Sequence, residues 1–384
     1  MAFTFPSIDF DEFHRGLSHL VPIGGDIDPT LGPLAFVLPG DRAVTHRIVD
    51  GCVDWESGCA ADATTVIEID AASFGAFALE YLTAPALMIQ GRITITTGDF
   101  GQFDRWEPLL RLLYVGRPPY DPSAIDRTDL DRDFVWDVDD IDKISDFYRR
   151  NGFAVIRDVF TAEEIAALDA ELDRLASDAT VEDDSSWWTT TPDGEERVCQ
   201  LHYTSLASPT IDHLEHDVRI AELVAAVDPS FVAHPSIGNG HFAVLKNPGA
   251  SGGLTDLAWH VDCGLGGHPI LCPSLHIGVQ VREMTAASGP MMFLAGSHRT
   301  SPVRPSAEDA DRWPIVTVSA RPGDVTLHSP DAVHAAPPPT GASEGRRTIY
   351  LSFGRPDMAE VFGFKEGYDH LVLPNDGRIT TDSE

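Results

Sequence analysis

The sequence predicts two folding units of different class: an α+β unit over residues 1–118, then a sandwich or jelly-roll barrel with helices packed outside it over 139–384. Three observations carry this. Helical and alternating stretches interleave up to about residue 118. A proline-rich, acidic stretch of little periodicity, VGRPPYDPSAIDRTDLDRD, then marks a linker over 119–138. From about residue 230 onward, short strands, glycines and prolines dominate, as sandwiches and barrels require.

In the first unit FDEFHRGLSHL reads as a helix with Phe10, Phe13, Leu17 and Leu20 on one face. LAFVL, HRIVDGCVDWESG with its Asp-Gly turn, and TTVIEIDA read as strands. ASFGAFALEYL is helical in pattern, GRITITTGD is a short strand, and FDRWEPLLRLLY is a last amphipathic helix. The second unit opens with a helix ended by Asn151-Gly152, then the strand FAVIRDVF. A capping box from Thr161 to Glu164 starts the next helix, which places Ile165, Leu168, Leu172 and Leu175 on one face. SSWWTTTPDGEE (185–196) reads as a long exposed insertion, its tryptophans part of a substrate lid or a patch against the first unit.

Composition excludes several functions. Twenty-seven basic against 60 acidic residues leave a net charge of −33, a field that repels phosphate backbones and anionic lipid surfaces. No apolar run approaches the ~18 residues of a membrane span, so neither nucleic acid nor membrane insertion is expected. The start, MAFTFPSIDFDEFHRG, carries acids where an export signal carries bases. Five cysteines without a CxxC argue for reduced thiols, and a cytoplasmic setting is the expectation.

The chemistry concentrates in LAWHVDCGLGGHP (257–269). Residues i and i+2 of a strand point to one side, so His260 and Asp262 can converge on one ion while Val261 turns away. Such a pair is either half of a 2-His-1-carboxylate triad, which leaves coordination positions of Fe(II) open on one face, or two ordinary polar residues in a loop. The distal histidine is sought among His268, His276, His298, His328 and His334. In RPGDVTLHSPDAVHAAPPPTGASEGRRTIYLSF, an arginine 12 or 13 residues beyond His334, on the next strand, brings a guanidinium to the same barrel mouth. There its planar fork suits a carboxylate. His328 lies six residues too early for that geometry and is read as a satisfied or supporting histidine.

The segments FYRRNGFAVIRDVFTAEEIAALDAELDRLA, WHVD, ASGPMMFLAGSHR, PGDVTLHSPDAVHAA and RRTIYLSF together resemble the phytanoyl-CoA dioxygenase (PhyH) family of Fe(II)/2-oxoglutarate oxygenases. The resemblance implies a double-stranded β-helix, or cupin-like jelly roll, with flanking helices. It implies His260, Asp262 and His334 as iron ligands, and Arg346 as the anchor of the distal carboxylate of 2-oxoglutarate. Arg346 is preferred to Arg347 because family members commonly place an aromatic seven residues after this arginine, where Phe353 stands. The activity implied is oxidation of an unactivated C–H bond of a small apolar or acyl-type metabolite by O₂, with release of succinate and CO₂. Asp262 disfavours halogenation, because related halogenases keep a small residue there. Two departures stand out: Ala336 occupies a position where the family often has Ser, and Gly278 falls near one that often carries Trp.

The first unit resembles the sterol-carrier-protein-2-like fold through VDGCVDWESGCAADATTVIEID and FGAFALEYLTAPALMIQGRITITTGDFGQFDRWEPLL. That likeness implies either a lipid-binding or an accessory packing role.

Secondary candidates are Gln280 and Arg282, sharing a strand face toward the barrel, and Lys246, at an anionic substrate or at the surface. Gln200 and His202 are further pocket candidates. His268 with Gly264 to Gly267 is read as a loop over the site mouth, His298 as structural and Cys263 as an inert buried thiol. The rival readings are a non-catalytic small-molecule carrier with a degenerate barrel and, third, a hydrolytic zinc site.

Overall fold

The computed structural model describes residues 7–357 except 25–27, 29, 184, 192, 236–239, 251–254, 266–269, 271–273, 306–310 and 342–344. The first unit runs α1 (Phe10–Arg15), β1 (Val21–Pro22), β2 (Leu34–Leu38), β3 (Arg42–Val49), β4 (Cys52–Ser57), β5 (Thr65–Ile69), α2 (Ala71–Ala78), α3 (Ala84–Ile89), β6 (Ile93–Thr97) and α4 (Phe100–Val115). Its six strands lie in the order β1-β4-β3-β2-β5-β6, with only β2 and β5 parallel. The β3–β4 hairpin turns on Asp50 and Gly51, both at positive φ (47° and 80°), the conformation an Asp-Gly pair favours. α1 is shorter than its periodicity: the chain leaves the helix at Gly16, and Leu20 ends half exposed at φ 51°. The space between sheet and helices is filled by fully buried rings, among them Phe36, Phe74, Phe77, Phe103 and Trp106.

At the centre of this unit, Arg111 and Glu107 form a fully buried pair on α4 at 2.9 Å. The guanidinium also donates to the carbonyls of Phe77 and Leu82, while the carboxylate accepts the Ala84 amide at 3.1 Å. Both charges are therefore spent on the turn between α2 and α3.

The second unit contains β7 (Phe134–Val135), α5 (Ile141–Asn151), β8 (Phe153–Arg157), α6 (Ala162–Asp178), β9 (Ser186–Thr190), β10 (Glu196–Leu201), α7 (Thr204–Ala207), α8 (Pro209–Glu215), α9 (Val218–Val227) and β11 (Val232–Ala233). Then come β12 (Phe242–Lys246), β13 (Leu257–His260), β14 (Ser274–Arg282), β15 (Met292–Leu294), β16 (Ile315–Thr317), β17 (Val325–His328), β18 (His334–Ala336) and β19 (Arg346–Gly354). The large sheet runs β7-β8-β17-β14-β19-β12-β10-β9, with β11 also on β19; the small sheet runs β13-β18-β15-β16. Phe293 of β15 packs 5.5 Å from His328 of β17, so the two sheets meet over a common interior. Thr161 and Glu164 form both halves of the capping box of α6, and Gly152 closes α5 at φ 82°.

Two sequence expectations change here. The 119–138 linker carries β7 just after its proline-rich part, and β7 pairs with β8 as the sheet edge. The stretch 185–196, expected as an exposed insertion, forms a hairpin on β10 instead; Trp187 is buried and packs 4.4 Å from His202. Alternation in SWWTT carries that pairing. Among the described residues no helix is long and apolar enough to cross a membrane.

Candidate metal and co-substrate site

His260 ends β13 and His334 begins β18, and the two are directly paired across the small sheet. Asp262 lies just past the end of β13, its amide donating to Pro330 O at 2.8 Å. The ligand atoms of His260, Asp262 and His334 all lie within 4.8 Å of one another. His260 Nε2 and His334 Nε2 stand 3.4 and 3.6 Å from Asp262 Oδ1. Those separations are long for a charge-assisted hydrogen bond of about 2.7–2.9 Å. They suit donors that flank one ion at bonds of about 2.0–2.2 Å.

The two imidazoles are oriented alike. His260 Nδ1 donates to Ala258 O at 2.7 Å and His334 Nδ1 to Ala332 O at 2.9 Å. Each ring thus binds a carbonyl two residues back, which fixes the tautomer and leaves Nε2 with its lone pair toward Asp262. Burial pulls the His334 pKa down to about 3, keeping it neutral. Burial opposes ionisation of Asp262, yet His334 first, then His260, His328 and His276, hold its carboxyl well below the usual range. A neutral His334 and an ionised Asp262 are in the protonation states a metal requires.

A second pair of imidazoles faces the other oxygen. His276 Nε2 and His328 Nε2 stand 3.6 and 3.8 Å from Asp262 Oδ2. His276 Nδ1 meets Ser352 Oγ at 3.1 Å, and among the described residues His328 Nδ1 meets no hydrogen-bond partner. The matched Nδ1-to-carbonyl bonds are those of His260 and His334.

β19 carries the cationic end. Its register on β14 pairs His276 with Ser352, Gly278 with Tyr350 and Gln280 with Thr348. The same face leads back to Arg346, which is 1% exposed. Arg346 Nε donates to Gly289 O at 2.8 Å, and Nη1 to Thr348 Oγ1 at 2.8 Å and Tyr350 OH at 3.3 Å. Nη2 makes no hydrogen bond among the described residues and leaves donors for a carboxylate. The Tyr350 ring meets His328 edge-on at 5.8 Å, so one side chain spans from the guanidinium to the imidazoles.

The other expectations divide. Arg347, paired with Arg346 as a co-substrate candidate, points the opposite way: its Nη1 holds Asp169 at 2.8 Å and Asp173 at 2.6 Å on α6. Strand alternation is the reason. Gln280 is fully buried behind Arg346; its Oε1 accepts from Thr348 Oγ1 at 3.0 Å, and its amide donates to Arg282 O and Arg347 O. It reaches Arg346 only through Thr348. Arg282 does not share its face, because a register shift between 280 and 282 turns Arg282 outward onto Asp169.

Lys246, expected at a substrate or at the surface, is not at the surface. It is 2% exposed, and its ammonium donates to Thr255 O at 2.7 Å, Pro337 O at 2.6 Å and Ala336 O. Burial, then the Arg346 charge, pull its pKa down to about 6. Lys246 ties β12 to the exit of the His334 strand. Gln200 and His202 are buried on and just after β10. His298 Nε2 meets Arg149 O at 3.1 Å, and Cys263 is buried. His268, Gly266 and Gly267 lie outside the described residues. Sequence reasoning did not single out Thr348, Tyr350 and Ser352, although alternation from Arg346 marks all three.

A two-sheet barrel with a 2-His-1-carboxylate cluster at one end and a buried arginine on a neighbouring strand defines a cupin-like class of protein. The phytanoyl-CoA dioxygenase (PhyH) family model matches residues 148–348, more than half of the sequence, and the chain belongs to that family. Among curated relatives, an ectoine dioxygenase of Bordetella parapertussis is 29% identical over 158 residues, covering 40% of this chain and 47% of the relative. An ectoine dioxygenase of Sphingopyxis alaskensis is 28% identical over 159 residues, covering 40% and 48%. The chain thus spans about half the length of the curated relatives it matches. Among solved structures, AviO1 from Streptomyces viridochromogenes Tue57 superposes with a TM-score of 0.47 at 25% identity, over 56% of this chain and 96% of that one. EctD from S. alaskensis, with 2-oxoglutarate and 5-hydroxyectoine, gives 0.46 at 23% identity, over 57% and 78%.

Proposed function

We propose that the protein is an Fe(II)/2-oxoglutarate-dependent oxygenase acting on a C–H bond of a small molecule. The observation that carries this is the convergence of His260, Asp262 and His334 with both rings locked through Nδ1. In this reading those three side chains hold iron. The bound metal supplies oxidative chemistry with O₂ and 2-oxoglutarate, which leaves as succinate and CO₂.

The chain's own residues do the rest. Arg346 takes the distal carboxylate of the co-substrate through Nη2, with Thr348 and Tyr350 holding the fork in plane. Lys246 and Gln280 fix the backbone around that end. On the far side of Asp262, His276 and His328 form a polar wall with Phe242, whose ring lies 5.9 Å from His276 and stacks on Tyr350. A compact substrate with an apolar body and a hydrogen-bonding group suits this surface. The relatives named for ectoine support a small-molecule substrate class, and the net charge of −33 disfavours polyanions.

The test is anaerobic titration of the protein with Fe(II) and then 2-oxoglutarate, followed by succinate formation in air over a panel of small molecules. The expected result is a visible charge-transfer absorption that needs both additions and is absent from His260→Ala. Zinc-dependent turnover without O₂, or ligand carriage with no 2-oxoglutarate binding, overturns the proposal.

A further inference from the structure

The first unit reaches the barrel at one particular place. α2 ends at Ala78, and Glu80 in the following turn takes φ 64°, a left-handed conformation costly for a side chain with a Cβ. What holds it there is a two-pronged bridge: Glu80 accepts from Arg117 Nε and Nη2, both at 2.7 Å, in a nearly buried setting. Arg117 also donates to Thr300 O of the barrel at 3.3 Å. Behind the turn, the buried Arg111–Glu107 pair grips Phe77, Leu82 and Ala84.

The other side of this turn touches the chain that follows the metal ligands. Glu80 O accepts the Ile270 amide at 2.8 Å, and the Thr83 amide donates to Gly264 O at 2.8 Å. Gln90 Nε2 donates to Leu265 O at 3.0 Å. The fit is close: a Cβ on Gly264 (φ 79°) would meet Ile270 Cγ1 at 2.5 Å and Thr83 Cγ2 at 2.9 Å. Gly264 is two residues beyond Asp262. Three hydrogen bonds from the first unit thus fix the backbone leaving the carboxylate ligand, while Pro330 O fixes the Asp262 amide from the barrel side.

We propose that the turn 79–83, braced by the Glu80–Arg117 bridge, is a positioning element of the metal site: the first unit sets where Asp262 stands relative to His260 and His334. This rests on the reading of those three residues as metal ligands. Glu80, Arg117 and Gln90 are positioning residues, since none touches the ion. The first unit is then neither a detachable carrier nor a passive appendage.

Co(II) binding to the full chain tests this, because its visible d–d spectrum reports ligand geometry without turnover. Arg117→Gln and Glu80→Gln are expected to weaken Co(II) binding about tenfold and to alter the spectrum. Arg117→Lys, which keeps the charge but loses the fork, should fall between. Arg47→Gln, breaking an exposed bridge elsewhere in the first unit, should leave both readouts unchanged. Faster exchange of the Ile270 amide should accompany the weakened binding. If Arg117→Gln does not fold, Gln90→Leu decides the matter, with an expected loss of about threefold from one hydrogen bond. Folded variants that bind Co(II) with wild-type affinity and spectrum overturn the proposal. A wild-type chain that binds no Co(II) removes the metal reading itself, and that outcome is distinct from wild-type and variant proteins binding alike.

Discussion

The two units hold charge in opposite ways. In the first, Glu107 and Arg111 are fully enclosed and spend their hydrogen bonds on each other and on the backbone of one turn. In the second, Asp262 is ringed by four imidazole nitrogens at 3.4–3.8 Å. A pair closed at 2.9 Å has its hydrogen bonds made; a carboxylate surrounded at 3.4–3.8 Å leaves room among those nitrogens for the ion proposed above. The two also differ in exposure: Arg111 and Glu107 are 0% and 1% exposed, Asp262 31%.

The contrast breaks most visibly in stability. Glu107→Leu strands the Arg111 guanidinium and should cost about 3–5 kcal/mol. Asp262→Asn in metal-free protein should cost less, because Asp262 is 31% exposed and its loss strands no guanidinium. Urea midpoints check both, and equal losses would sink the distinction. Next comes the ligand effect. Co(II) or Fe(II) at about 100 times its dissociation constant should stabilise wild-type protein by about 2.7 kcal/mol, and should do nothing for His334→Ala in the same melt.

Acid should act on the closed cluster of the first unit. His46 is fully buried against the Tyr114 hydroxyl, and burial holds its pKa down at about 3, against 6.5 when free. The folded state therefore takes up fewer protons below pH 6.5 than the unfolded chain does. Stability falls as pH drops through the window from 6.5 to 3, by about 2 kcal/mol between pH 7 and 5 for this one group. His46→Phe should flatten that slope in denaturant titrations. The smallest effect separates the two imidazole pairs. His276→Gln and His328→Gln should each keep the metal with about tenfold lower affinity, whereas His260→Gln should lose it. Loss of the ion from the first two variants, with retention in the third, moves the metal to the other side of Asp262.

Much of this was legible because the relevant spacings are short. The i, i+2 spacing pointed to His260 and Asp262 together, although the strand ends at His260 and Asp262 reaches the cluster from the turn beyond it; alternation separated Arg346 from Arg347. The same alternation, carried further along β19, would have reached Thr348, Tyr350 and Ser352. Arg282 was misplaced because a bulge breaks the period without leaving any mark in GVQVREM. Lys246 was unreadable for another reason: its acceptors are carbonyls at 255, 336 and 337, and carbonyls carry no residue identity. The docking of turn 79–83 onto Gly264 and Ile270 was equally silent, being made of backbone bonds between segments about 180 positions apart. What was lost, in each case, was a contact rather than a type of residue.

Gly278 carries one more consequence. A Cβ there would come within 2.9 Å of the Tyr350 ring and 2.5 Å of Thr326 Oγ1. The bulk that shapes this part of the chamber is therefore contributed from the adjacent strand, and the vacancy at 278 is its counterpart. Redesign of the cavity has to treat the two positions as a single exchangeable volume: enlarging one without trimming the other jams the wall, and trimming Tyr350 alone opens a hollow next to the guanidinium.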